Sequence, residues 1–169
     1  MRLTSILAMS LLSLFSFSQA KPLDIGSTVP EVEAIDQDGK PFPLNETLRT
    51  GTTLVFFYPK ANTPGCTAQA CSLRDQYQTL LHLNLKIIGV SCDSPQSQKK
   101  FKTQHNLPFP LLADEKGQIT KAFGVPTTLG FAARQSFLIR NGKVVWRDLH
   151  PQTSRHAQDV LQALETLGK

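Results

Sequence analysis

Cysteine is scarce in this chain: 3 of 169 residues. An odd count cannot be fully paired internally, and so few exclude a disulfide-stapled scaffold. Charge of one sign is also scarce. Eighteen Lys and Arg face 13 Asp and Glu, for a formal +5. That excess is too small to indicate nucleic acid as a partner. After residue 20 there is no apolar run of membrane length, so no membrane partner is expected from there on. No repeat, low-complexity tract or linker interrupts residues 21–169. What is present is globular composition, 40% apolar and 18% charged, which excludes a disordered chain.

The first twenty residues read as an address. Met1-Arg2 precedes Leu3 to Phe17, which is uncharged and mostly apolar. Ser18 and Ala20 place small residues at the −3 and −1 positions of a cleavage site, the layout of a secretory signal peptide. A retained membrane anchor needs about 20 apolar residues, and Ser10, Ser13, Ser16 and Ser18 dilute this run. The segment lacks cysteine, which excludes a lipid anchor. The expectation is a signal peptide over 1–20 and one exported domain over 21–169. The bacterial periplasm, where disulfides persist, is the expected location.

Within 21–169, Val32–Ile35 and Pro41–Leu44 flank Asp38-Gly39 and predict an N-terminal β-hairpin. Thr52–Tyr58 is a continuous β-branched and aromatic run, a strand buried on both faces. From Cys66 to about Leu83 the residues Ala70, Leu73, Tyr77, Leu80 and Leu81 form one helical stripe. Thr63 suits the N-cap and Pro64 the first helical position. Leu85–Val90 predicts a strand and Ser94–His105 a helix. Leu107–Leu112 is extended, and Gly117–Phe123 predicts a short helix. Gln135–Ile139 and Lys143–Arg147 are strands joined by Asn141-Gly142, a strong hairpin signal. A last helix runs from about Thr153 to Leu167, with Ala157, Val160, Leu161, Leu164 and Leu167 as its buried stripe. The order predicts an α/β fold with a central mixed sheet flanked by helices, in the thioredoxin-like arrangement.

The chemistry concentrates between Tyr58 and Cys71. Cys66 falls in the first turn of a helix that follows a buried strand. A helix N-terminus offers unpaired N–H groups and partial positive charge, both of which favour thiolate over thiol. Such settings lower a cysteine pKa from about 8.5 to about 3.5–7.5, and the thiolate is the nucleophile. Thr63 lies three residues earlier, within reach of the sulfur or a substrate oxygen. Gly65 lets another group approach the backbone closely. Cys71 lies five residues after Cys66, which on an intact helix means about 7.5 Å of axial rise and about 140° of rotation. A disulfide needs Cα atoms within about 7 Å and converging Cβ vectors, so Cys66 and Cys71 can be joined only if the first turns unwind.

The spacing Pro59, Thr63, Cys66 matches Pro-x-x-x-Thr/Ser-x-x-Cys, and the run YPKANTPGCTAQACSLRD resembles the Q-type peroxiredoxins, also called bacterioferritin comigratory proteins. The segments GVSCDSP, LPFPLLAD, FGVP and ARQSFLIRNGKV fit the same subfamily, so the resemblance covers essentially all of 21–169. It implies an antioxidant thiol peroxidase without cofactor or metal. Cys66 would be the peroxidatic cysteine, oxidised by hydrogen peroxide or an organic hydroperoxide to sulfenic acid. Cys71 would resolve it as an intramolecular disulfide, and a thioredoxin-like protein would reduce that disulfide. Thr63 would hold the peroxide, and Pro59 would shape the loop and shield the sulfenic acid. Arg134 would stabilise the thiolate and the charge of the breaking O–O bond. The subfamily implies a monomer. Three departures stand out: Gln69 where the family usually has Glu, which implies a lost or weakened pairing with the arginine; Gln98 where it has His; and the export signal, in a family that is largely cytosolic or plastidial.

Simpler readings stand beside these. Zinc needs more ligands than the cysteines and the scattered His82, His105, His150 and His156 offer. Cys92 ends a buried strand and reads as a small apolar residue, or else as a second partner for Cys66 or an intermolecular bridge. Lys99, Lys100 and Lys102 read as a solvated helix face, and Trp146 as packing. Two other functions compete. A thioredoxin-like disulfide oxidoreductase wants Cys-x-x-Cys, and a redox-sensing module would oxidise once without turnover.

Overall fold

The computed structural model describes residues 21–168. The expected signal peptide over 1–20 lies outside the described residues. Among the described residues, no helix is long and apolar enough to cross a membrane.

The chain begins with the short pair β1 (Ala34–Ile35) and β2 (Pro41–Phe42), antiparallel across the Asp38-Gly39 turn. The Asp36 carboxylate accepts from the N–H of Asp38 and of Lys40, which holds that turn. The second strand is shorter than the sequence predicts. Leu44 starts a helix, α1 (Leu44–Arg49), because burying Leu44 and Leu48 four residues apart outweighs continued pairing.

The main sheet has the order β5 (Leu111–Ala113), β4 (Leu85–Ser91), β3 (Thr52–Phe57), β8 (Gln135–Arg140), β9 (Lys143–Asp148). β3, β4 and β5 are parallel; β8 and β9 run antiparallel. β3 is central and buried on both faces, as expected. Its alternation divides the core. Leu54, Phe56 and Tyr58 pack under the helices α2 (Pro64–Asp75), α3 (Tyr77–His82), α4 (Pro95–Gln104) and α6 (His156–Leu167). Val55 and Phe57 face α1 and α5 (Gln118–Ala122) on the other side.

Four local expectations change. The single helix over 66–83 is two, broken at Gln76, so Leu81 leaves the predicted stripe and is 46% exposed. In α6, His156 and Ala163 are buried beside Ala157 and Val160, while Leu161, Leu164 and Leu167 are only partly covered. A further hairpin, β6 (Thr127–Thr128) and β7 (Phe131–Ala132), occupies a stretch with no periodic signal. Lys102 also departs from the solvated face. It is half-buried, and its ammonium donates to the carbonyls of Leu107 and Phe109, 2.8 and 2.5 Å away. The cost of that burial holds its pKa below the usual lysine value.

Candidate active site

β3 ends at Phe57, and the Tyr58 N–H still reaches the Val90 carbonyl at 3.1 Å. The chain then turns through Pro59–Thr63, with Asn62 in the left-handed region at φ 60°. A polar network fixes this loop. The Asp93 carboxylate accepts from the Ala61 N–H at 2.8 Å and from the Ser91 hydroxyl at 2.7 Å. Gln98 is fully buried; its amide nitrogen donates to Ser91 Oγ and the Leu112 carbonyl, and its oxygen accepts from the Tyr58 hydroxyl. Burial keeps that phenol protonated, far above the ordinary tyrosine range. Gln98, read as a departure at a family position, thus serves this network. Tyr58, Ser91 and Asp93 lie within the motif segments, yet no local sequence signal joins them into one network.

Thr63 takes the N-cap position and Pro64 follows in the first turn, as predicted. The Thr63 hydroxyl does not cap the helix; it donates to the Lys60 carbonyl at 2.9 Å. Cys66 is three residues beyond the N-cap and 1% exposed. The first N–H groups of α2 have no intrahelical acceptor and lie at the positive end of its dipole.

Arg134 directly precedes β8. The β3–β8 register pairs Phe57 with Gln135, so Arg134 lies beside the strand end from which α2 departs. Its Nη2 is 3.4 Å from Cys66 Sγ, and its Nη1 donates to Gln69 Oε1. The expected loss of a partner at position 69 is therefore only partial: Gln69 still holds the arginine, as a neutral acceptor. Its own Nε2 is buried with no hydrogen-bond partner among the described residues. A Cβ on Gly65 would stand 3.3 Å from Nη2, so the group that approaches that glycine is the guanidinium itself.

His156 is fully buried nearby, with Nε2 2.8 Å from Ser136 Oγ and Nδ1 unpartnered. Burial first, and the Arg134 charge second, lower its pKa to about 4, so it is neutral at physiological pH. Nothing in its sequence spacing marked it.

Cys66, Cys71 and Cys92 are all free thiols. Cys66 and Cys71 share the continuous helix α2, and Cys71 is partly exposed. Cys92 packs on the opposite side of the sheet from Cys66, 3.9 Å from Thr120 Oγ1, and burial raises its thiol pKa. The sheet between them removes Cys92 as a direct partner of Cys66. Pro59 is half-buried and lines a groove with the β6–β7 hairpin. The structure thus gathers Cys66, Arg134 and Gln69 at one point, with Thr63 and Pro59 in the loop that frames it. Cys71 lies on the same helix, two residues past Gln69. Among the described residues, no three His, Cys, Asp or Glu side chains are grouped to hold a metal ion.

The AhpC/TSA family model matches residues 25–147. The chloroplastic peroxiredoxin Q of Sedum lineare is 36% identical over 147 residues, covering 84% of this chain and 78% of that protein. Peroxiredoxin Bcp of Bacillus subtilis is 34% identical and covers 87% and 98%. Among solved structures, peroxidoxin BcpB of Mycobacterium tuberculosis superposes with a TM-score of 0.78 at 34% identity, covering 85% of this chain and 97% of that one. These relatives overturn one expectation. Several are named as chloroplast proteins, so the family carries no address to a bacterial periplasm, and the assignment to that compartment is withdrawn. Fold, site geometry and relatives agree that the chain belongs to the AhpC/TSA family, as a peroxiredoxin of the Q/Bcp type.

Proposed function

We propose that Cys66 is the peroxidatic residue of this thiol peroxidase and that Cys71 resolves it. The observation that carries the reading is the guanidinium of Arg134, 3.4 Å from a buried sulfur in the first turn of α2. The guanidinium and the N-terminal end of α2 together place positive charge beside the sulfur. The thiolate attacks one oxygen of the peroxide and the O–O bond breaks. The leaving oxygen takes a proton and departs as water or alcohol, and Cys66 becomes a sulfenic acid. Arg134 faces the negative charge that moves from sulfur to the leaving oxygen. The Thr63 hydroxyl, close to the helix start, binds the peroxide once it releases the Lys60 carbonyl.

The Cys71 thiol then attacks the sulfenic sulfur, forming the S–S bond and releasing water. Both cysteines lie in one continuous helix, and a separation of about 7.5 Å along its axis forbids that bond without local unwinding. Peroxiredoxins of this type use thioredoxin-type reductants. Such a dithiol attacks the disulfide, passes through a mixed disulfide and returns both cysteines to thiols. The monomer implied by the Q-type resemblance is taken as the working unit.

Single-cysteine variants test the roles. Cys66→Ser is expected to abolish peroxide consumption. Cys71→Ser is expected to consume one equivalent of peroxide and stop before the disulfide. Near-normal turnover of the first variant refutes Cys66 as the nucleophile. Normal thioredoxin-supported turnover of the second refutes Cys71 as the resolving residue.

A further inference from the structure

Among the described residues, two tight two-residue hairpins share positive φ at both central positions. The β8–β9 turn is Asn141-Gly142, with φ 49° and 79°. The β6–β7 turn is Leu129-Gly130, with φ 51° and 81°. Positive φ at both central positions is the two-residue turn that favours Asn-Gly. Asn141 meets that demand. Leu129 does not, because a leucine in the left-handed region is strained and offers the turn no polar side chain. It also gains no burial, being 93% exposed. Neither the backbone nor the core accounts for leucine at this position.

Its surroundings point to a docking role. Leu129, Phe131, Thr128 and Ala133 line a shallow, open groove with Pro59 and Lys60. Phe131 is 42% exposed, and the Lys60 ammonium lies 5.6 Å above its ring. The groove adjoins the active site at two points: Pro59 begins the loop to Cys66, and the hairpin runs directly into Arg134.

We propose that the Leu129–Phe131 hairpin tip is the docking surface for the thioredoxin-type protein that reduces the enzyme. This rests on the recycling reading above, in which a protein dithiol must reach the edge of this site. A pocket for a small molecule encloses most of its ligand, whereas this groove is open and Leu129 projects from it. A stable homodimer buries a much larger area, while transient redox encounters occupy the small end of the interface range. A small apolar tip beside a single cation, Lys60, suits the transient class.

Leu129→Asn separates the possibilities, because it installs the residue that the chain itself uses in the same turn. The thermal midpoint is expected to be unchanged or higher. Single-turnover oxidation by hydrogen peroxide and dithiothreitol-supported turnover are expected to match the wild type. With thioredoxin, NADPH and thioredoxin reductase, KM for thioredoxin is expected to rise about tenfold. An unchanged KM for thioredoxin overturns the proposal. So does a raised KM for cumene hydroperoxide with thioredoxin unaffected, which assigns the groove to a substrate tail. Loss of a wild-type dimer in sedimentation overturns it in favour of a second copy. Wild-type turnover with dithiothreitol but not with thioredoxin refutes the recycling reading itself, and the docking surface with it.

Discussion

Arg134 and Cys66, 68 positions apart in the chain, meet at 3.4 Å between Nη2 and Sγ. The other terminal nitrogen of the guanidinium is held by Gln69. The planar fork thus spans two fixed partners, an arrangement that a lysine ammonium cannot reproduce. Arg134→Met is expected to slow the reaction of Cys66 with hydrogen peroxide by roughly 100-fold or more, the usual effect of removing one donor to developing charge. Arg134→Lys should fall between the two. Stopped-flow single turnovers measure this, and a loss within threefold would remove Arg134 from the chemistry.

Gly65 offers a test in which activity and stability move apart. Its φ is not in the left-handed region, so alanine is acceptable to the helix backbone. Gly65→Ala is expected to keep or raise stability, by up to about 1 kcal/mol. The new Cβ would stand 3.3 Å from Arg134 Nη2 and push the guanidinium by a few tenths of an ångström. Peroxide reaction is expected to slow several-fold while the unfolding midpoint holds. A variant that reacts at the wild-type rate would show that the arginine has room to spare.

His156 predicts a pH dependence of stability. Burial and Arg134 lower its pKa to about 4 from an ordinary 6.5. The unfolded chain therefore binds a proton that the folded chain refuses. The associated stability is complete above pH 6.5 and is lost as pH falls toward 4. At about 1.4 kcal/mol per pH unit, this amounts to about 2 kcal/mol between pH 6.5 and 5. His156→Gln can retain a bond to Ser136 without titrating, so its stability should be flatter over that window. Urea midpoints at half-unit steps of pH measure this, and identical slopes for the two proteins would exclude His156 as the source.

The fold was legible where burial imposed a period. The run Thr52–Phe57 showed a strand covered on both faces, and Asn141-Gly142 showed its hairpin, because their signals are local. The helix α1 carries no sequence signal beyond Leu44, which falls in the expected second strand, because Leu44 and Leu48 are too few to reveal a helical period before they find Val55 and Phe57. The break at Gln76 was hidden because Leu73, Tyr77 and Leu80 keep helical spacing across it. Gln98 could be noticed, but its bonds to Tyr58, Ser91 and Leu112 come from three separate strands or strand ends.

By itself the sequence determined the position of Cys66 in a first helical turn after a buried strand, with Thr63 and Pro64 before it and Cys71 about 1.4 turns on. Those features depend on neighbours within a dozen residues, and local backbone preferences settle them. Tertiary structure alone decided which charge faces the sulfur, what holds that charge, and which thiol stands apart. Antiparallel pairing of β3 with β8 carries Arg134 to Cys66, Gln69 fixes it there, and the sheet separates Cys92 from both. Such contacts arise from strand order and packing between distant segments, and no local period encodes them.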